Sequence, residues 1–478
     1  MHSSRVPKIG LEIHIQLSTP QKAFCGCRVD QHAEPNTSVC PVCLGYPGAL
    51  PVLNPDVVDA AVLAGSALGM RINRRSSFDR KSYFYPDLPK GYQITQYQEP
   101  ICKGGSVAYF MSGEQMTAIL YRMHIEEDAG KLHHEGESTL VDFNRCGVPL
   151  LEFVSAPDFT GGEQASSFLK ELRRIVRYLG ISNGNMEDGS FRCDVNISLD
   201  GGEKVEVKNL NSFAFVAAAV DAEIARQDGI YSEGGTVVQE TRSWNERERR
   251  TDPMRGKEGS AEYLYMPEPD LPPLSLTDEM IDRIASEAHE LPSQKYCRYV
   301  EELNLSPAAA EYLTGDVGIA AYFESCLDLL GEAPEVTRTL IANWIMGDLA
   351  YHCNARSEPL SFCLVTPQKL VELILMLHEE RISEPSAKEV LGEVMSTGTP
   401  PSEIVESRGL QQITDKSELQ ALVRRVVEEH PDQVAEYLAG KERLFGFFVG
   451  ETMKLSGGRA NPQAVTSLLA DELAHGRK

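Results

Sequence analysis

Apolar and non-apolar residues alternate without a break along Ile9-Gly10-Leu11-Glu12-Ile13-His14-Ile15-Gln16-Leu17. A period of two predicts a half-buried β-strand. Its odd positions face a core, and its even positions set Glu12, His14 and Gln16 in a row on the other face. The pattern returns at 191–199, where Arg192, Asp194 and Asn196 share a face, and more loosely at 205–208. Aspartate and asparagine are depleted in strands, so finding both beside an arginine on one polar face is unusual. For any single strand, a solvated outer face is the plainer reading. Three strands with this mixture of acid, amide and imidazole read better as an active-site sheet.

Helical periods are fewer in the first part of the chain. Asn54 as N-cap and Pro55 at the first helical position open an apolar helix running to Gly69. A stronger one covers about 163–179: Ala165, Phe168, Leu169, Leu172, Ile175, Val176 and Leu179 form one face, and Gly180 follows as a stop. A third, Ala-rich, covers about 213–227. Long Pro/Gly/Tyr-rich segments at 79–100 and 253–274 interrupt them and read as binding loops. Composition changes at Leu271-Pro272-Pro273-Leu274, and after about 290 the chain reads as short helices, at 335–352, 367–380, 386–395, 417–429 and 432–439. Ser396-Thr397-Gly398-Thr399-Pro400-Pro401 reads as a linker. The expected fold class is α+β, with a strand-rich domain at 1–292, an all-α domain at 293–400 and a small α-helical tail domain at 401–478.

The totals narrow the class. At 478 residues, several domains are expected. The net charge is −24, which argues against a passive basic coat for nucleic acid. Only −2 of it falls in residues 401–478, so the acidity sits in the first 400. A local excess of cations occurs at 242–257: Arg242, Arg247, Arg249, Arg250, Arg255 and Lys257. It reads equally as a phosphate-contacting loop or as a solvated charged loop. No apolar run approaches the roughly 20 residues that span a membrane, and the first residues lack a secretory h-region. Eleven scattered cysteines do not form a disulfide framework. The expected compartment is the cytoplasm, with no membrane partner.

Three clusters carry chemistry. Cys25 and Cys27, then Cys40 and Cys43, make two close pairs separated by a short loop, which suits a tetrahedral, structural Zn²⁺ held by four thiolates. Free buried thiols and disulfides are the competing readings. Glu126-Glu127-Asp128 follows what looks like a strand end; it reads either as an exposed turn or, with Glu12, His14 and Glu152, as a set of ligands for Mg²⁺. The loop from Asp79 to Gln96 mixes cations, aromatics and amides, including Lys81, Tyr83, Tyr85 and Lys90. That mixture suits a nucleotide or an RNA 3′ end, although tyrosines packed on a sheet are the simpler alternative. No P-loop and no Rossmann glycine motif is present, so bound ATP has to be held by a metal-lined sheet. Gly180-Ile181-Ser182-Asn183-Gly184 and Ser167-Phe168-Leu169-Lys170 match the bare spacings Gly-x-Ser-x-Gly and Ser-x-x-Lys, but the first follows a predicted helix instead of joining a strand to a helix and the second lies inside that helix, so neither reads as a serine amidase nucleophile.

These residues carry a family resemblance. The chain resembles the B subunit of bacterial aspartyl/glutamyl-tRNA amidotransferases over essentially its whole length. The resemblance rests on Gly10-Leu11-Glu12-Ile13-His14, on Tyr46 through Asn54, and on Arg80-Lys81 with Tyr83 through Gln93. It continues through Glu126 to Lys131, Arg192 to Ser198, Glu206 to Ser212, Gln239 to Arg242, Pro267 to Leu271 and Gly457 to Pro462. It implies a cradle-shaped domain around an antiparallel sheet, related to amide ligases of the glutamine-synthetase kind. A helical domain and a tRNA-binding tail follow. The implied reaction uses ATP to phosphorylate the side-chain carboxylate of Glu on mischarged tRNA(Gln), or of Asp on tRNA(Asn). Ammonia then displaces the phosphate to give Gln-tRNA(Gln) or Asn-tRNA(Asn). The implied partners are a glutaminase A subunit, which supplies the ammonia, and a small C subunit.

The resemblance also implies roles. Glu12, His14, Glu127 and Glu152 bind Mg²⁺, and Asp194 completes a second metal position. On the residues themselves, Lys81, Arg192 and Lys208 are the candidate cations for the phosphates or the acyl phosphate, and the composition of the 79–96 loop makes Tyr83, Tyr85 and Lys90 candidates beside the nucleotide. Only some members have the four cysteines, so zinc rests on spacing alone. Two other classes stand against this reading: a ligase acting on a free small carboxylate, and a non-enzymatic zinc-bearing RNA-binding module.

Overall fold

The structure is a computed structural model, and it describes residues 5–30, 33–254, 263–331, 335–413 and 415–475. It is mixed α and β, in two compact units that meet in sequence at Lys295 and Tyr296.

The first unit is organised by a ten-stranded sheet. The alternating segment forms the strand Pro7–Gln16, and it lies in the middle, between the strands Pro149–Ser155 and Phe191–Leu199, antiparallel to both. Beyond Pro149–Ser155 comes Glu114–Glu127; beyond Phe191–Leu199 come Val205–Lys208, Glu240–Asn245 and Arg250–Pro253. Every neighbour in this run is antiparallel except Val205–Lys208 with Glu240–Asn245.

One face of this sheet is the core. Ile9, Leu11, Ile13 and Ile15 are fully or almost fully buried, with Phe168, Leu172, Val216 and Val220 in the same apolar cluster. The last four belong to the helices Gly162–Tyr178 and Phe213–Ser232. Gly180 stops the chain after the first of these helices with a φ of +68°, a conformation open to glycine at little cost. The second starts where Ser212 caps the Phe215 N–H, but it runs five residues beyond the predicted end. Gln227 and its neighbours stay helical because Gln227 bonds both the Ile197 carbonyl and Glu223. The helix Pro55–Ala67 begins as expected, with the Asn54 side chain accepting from the Asp56 N–H.

The second unit is helical among its described residues and holds two separate apolar cores, one from Tyr299 to Val405 and one from Ile413 to Leu473. The predicted helix at 335–352 is broken into Glu335–Trp344, a π-helical turn Ile345–Leu349, and Ala350–Arg356. At 396–401, Gly398 ends the helix Glu384–Thr397 at φ +71°, and Pro401 opens the helix Pro401–Arg408. No helix among the described residues is long and apolar enough to cross a membrane.

Candidate functional site

Strand register assembles the polar face. Arg192 stands opposite His14, His14 opposite Glu152, and Glu152 opposite His124, so four strands place these residues in one row. In the next row Asp194 stands opposite Glu12. The His14 Nε2 atom lies 3.3 Å from both Glu126 Oε1 and Glu152 Oε2. These three side chains could together hold a metal ion. His124 backs the group, with Nε2 3.3 Å from Glu152 Oε2 and 3.8 Å from Glu126 Oε2.

The electrostatics suit a cation. Glu126, Glu152 and His124 are buried, while the His14 side chain keeps 23% of its surface and opens the group to solvent. Burial alone would lower the His14 imidazole, but the Glu152 hydrogen bond and the Glu126 and Glu152 charges raise it from 6.5 to about 9. Burial pushes Glu126 up, and the neighbouring Glu152 pushes the same way. Glu152 is held well below the carboxylate range, because His124 and His14 outweigh its burial. Two buried carboxylates and an imidazole with open positions are the donor set of a hard divalent cation that also meets phosphate oxygens. Among the described residues, His124 Nδ1 and Arg192 Nε are buried without a hydrogen-bond partner, a pattern that marks functional polar sites.

A ring of cations and aromatics surrounds this group. Arg192 donates to Asp128 Oδ2 at 2.8 Å. Lys208 donates to Asp194 at 2.8 Å and pairs with Glu206 at 3.0 Å. Asn196 donates to Glu12 at 3.0 Å. A small sheet lies over the face, with the strand Asp79–Ser82 between Tyr92–Thr95 and Leu264–Pro267. Thr95 reaches Glu126 at 3.5 Å. Lys81 lies 4.6 Å from the centre of the Tyr263 ring. Burial works against its charge, but Tyr265, Glu126 and Glu152 keep it protonated. Tyr83 packs edge-on to Tyr263, and Tyr85 is exposed.

The structure thus brings together His14 and Glu152 of the predicted ligands, with Glu126 as the third. Glu127 stands apart. Its carboxylate pairs with Lys90 and accepts from the Ile94 N–H at 2.9 Å. The reason is parity: consecutive strand residues point to opposite faces, so Glu126 shares a side with His124 and Glu127 does not. Lys90 is accordingly engaged by Glu127, with the Tyr92 ring 5.6 Å away. Glu12 and Asp194 sit one row from the group, held by Asn196 and Lys208. Sequence reasoning missed His124; it named Glu126 and Asp128 within the run of three acids, but the role it assigned within that run went to Glu127. Counting in twos from His124 along the strand was the available signal for Glu126.

Two cations of the basic loop are paired with nearby acids. Arg242 is buried and bonded to Glu240 and Thr251, beside the fully buried Glu223, and Arg250 pairs with Glu248 and Asp252. Arg247 and Arg249 are exposed; Arg255 and Lys257 lie outside the described residues.

The four cysteine sulfurs of Cys25, Cys27, Cys40 and Cys43 lie within 4.8 Å of one another, and none is in a disulfide. The Cys40 N–H donates to Cys43 Sγ at 3.2 Å. A hydrogen bond from Cys25 and that backbone N–H, with Lys22 nearby, pull the Cys43 thiol down to about 4. Four converging sulfurs, one of them biased toward thiolate, fit a closed tetrahedral zinc site.

Comparison with known proteins now decides the family. The model of the GatB/GatE catalytic domain matches residues 7–282, and that of the GatB domain matches residues 321–473. The chain belongs to the GatB/GatE family. Among its GatB relatives, the B subunit of the aspartyl/glutamyl-tRNA(Asn/Gln) amidotransferase of Crocosphaera subtropica is 45% identical, over 98% of this chain and 97% of the relative. The B subunit of the same name from Geotalea daltonii is 46% identical, over 97% and 98%, and that from Synechocystis is 45% identical, over 98% and 97%. The first GatB model spans the whole strand-rich sheet and its polar face.

Proposed function

We propose that this chain is the amide-forming subunit of a tRNA-dependent amidotransferase, and that the group of His14, Glu126 and Glu152 is its phosphoryl-transfer centre. The observation that carries the proposal is that group itself: two buried carboxylates and an imidazole on a sheet face flanked by Lys81, Arg192 and Lys208. The named relatives act on Asp- or Glu-charged tRNA(Asn) and tRNA(Gln), and we extend that substrate class to this chain.

When bound, Mg²⁺ neutralises the negative charge that gathers on the transferring phosphoryl group. We assign His14, Glu126 and Glu152 to hold it, with Glu12 and Asp194 as a neighbouring pair for a second ion. Lys81, Arg192 and Lys208 meet the ATP phosphates, and Asp128 fixes the Arg192 guanidinium. The tRNA-linked carboxylate is ionised at pH 7 and attacks without a general base. The residues therefore orient the two anions, offset their repulsion and exclude water from the acyl phosphate. Tyr83 and Tyr85 belong to the loop over this face and border the nucleotide, while Lys90 of the same loop is held by Glu127. Ammonia comes from a glutaminase A subunit, with a small C subunit joining the two, a division of labour that the relatives' designation as a B subunit supports. We read the large sheet with its covering small sheet as an amide-ligase-like cradle. The two cores of the second unit correspond to a helical domain and a tRNA-binding tail. The cysteine cluster holds structural Zn²⁺.

The test is transamidation by the reconstituted three-subunit complex on Glu-tRNA(Gln) and Asp-tRNA(Asn). Amide formation that requires ATP, Mg²⁺ and the tRNA-linked acid supports the reading. ATP turnover driven equally by free glutamate would favour the free-carboxylate ligase.

A further inference from the structure

The cysteine cluster contains a lysine that the reaction does not use. Lys22 has no exposed surface and is among the largest fully buried side chains in the described molecule. Among the described residues, its ammonium meets two groups: it donates to the Ser38 carbonyl at 2.8 Å and lies 3.7 Å from Cys43 Sγ. A buried ammonium is strongly disfavoured unless a negative charge balances it. A carbonyl supplies a hydrogen bond but no charge. Among the described residues no carboxylate oxygen lies within 4 Å of the ammonium, the buried Glu127 carboxylate being farther off on the Gly147 side, so the nearest source of balancing charge is the sulfur side.

The three readings of the cluster differ in that respect. Four thiols are neutral, and so are two disulfides. A divalent cation on four thiolates leaves a net dianion. Neutral thiols and disulfides give the Lys22 ammonium no counter-charge; a lone Cys43 thiolate gives a single one, and the zinc-bound set gives a dianion held in place beside it. We propose that Lys22 is the outer-sphere partner of a four-thiolate zinc site: it hydrogen-bonds the Cys43 sulfur and offsets the site's negative charge. This rests on reading the four cysteines as a zinc site, and it adds a positioning residue to them.

The backbone gives the site a reach beyond its own loop. The Lys22 N–H donates to the Cys27 carbonyl at 3.0 Å, and the next N–H, of Ala23, donates to the Gly147 carbonyl at 2.8 Å. The Gly147 N–H donates to the Asp128 carbonyl at 3.0 Å, and the Asp128 side chain holds Arg192. Lys22 thus sits where the cysteine loop is tied to the turn behind the polar face.

The experiment uses the full-length chain with Lys22→Met and Lys22→Gln. Zinc content is measured by elemental analysis, and zinc affinity by competition with a chromophoric chelator. Loss of an outer-sphere partner typically weakens metal binding by about 10- to 100-fold. The expected result is one zinc per wild-type chain and at least roughly 10-fold weaker retention in both variants. Glutamine keeps a donor for the Ser38 carbonyl but carries no charge, so it remains interpretable if the methionine variant does not fold. Wild-type affinity in Lys22→Gln overturns the proposal, because the lysine is then a strut for Ser38. A wild-type chain without stoichiometric zinc overturns the reading of the cluster itself, and the proposal with it. As a second readout, Co²⁺ replaces zinc, and the sulfur-to-cobalt absorption band shifts in Lys22→Gln when the lysine bonds the sulfur; an unmoved band counts against it.

Discussion

The two ligand clusters of the first unit are built in opposite ways. Cys25, Cys27, Cys40 and Cys43 come from one short stretch, and their donors close around the centre. His14, Glu126 and Glu152 come from three strands, and His14 stays partly open to solvent. Four donors close a tetrahedral site and leave it structural; three donors leave room for a substrate oxygen. The difference also lies in charge. The buried Lys22 faces the sulfurs, whereas the two carboxylates are faced by two imidazoles, His14 and His124. On the proposed assignments, one cluster would keep its ion and the other would share it.

The largest effect separating the two should come from the carboxylates. Glu126→Gln and Glu152→Gln in the reconstituted complex are expected to cut ATP-dependent amide formation by roughly 100-fold or more, since each removes charge-stabilising contact to the transition state. Glutamine hydrolysis by the complex should persist. Cys43→Ser should act elsewhere: a stability loss on the order of 2–4 kcal/mol in thermal unfolding, with Mg²⁺ affinity at the open site unchanged. A Cys43→Ser protein that melts like wild type would remove the structural half of the comparison.

The pH dependence comes next in size. In the absence of a cation, protonated His14 stabilises the fold in full below its unfolded value near 6.5. That contribution disappears as pH rises through about 9. A cation needs the neutral imidazole, so its affinity should move the other way. It should rise by up to about tenfold per pH unit toward 9 and level off above it, with the slope read by calorimetric titration. His14→Asn should flatten that slope. The smallest expected effect is that of Glu127→Gln, which should leave cation affinity within about threefold, against roughly tenfold or more for Glu126→Gln.

Much of this unit is legible in the sequence where the physics is local. The strand Pro7–Gln16 and the helix Gly162–Tyr178 announce themselves by period, because one face of each is buried. The cysteine cluster is legible because its ligands are close in sequence. The open site is harder. Choosing Glu126 over Glu127 requires knowing that the strand continues regularly from His124, and composition offers three adjacent acids without that parity. Arg242 reads as a free cation until Glu240 and Thr251 are brought to it by tertiary pairing. Lys22 carries no sequence signal at all, since its burial depends on where the cysteine loop folds back.

The most direct measurement is anomalous diffraction from crystals of the assembled complex soaked with Mn²⁺ and a non-hydrolysable ATP analogue. The account predicts a peak bounded by His14 Nε2, Glu126 and Glu152, with the analogue's phosphates toward Lys81 and Arg192. A peak on Glu127, with none among His14, Glu126 and Glu152, would contradict it.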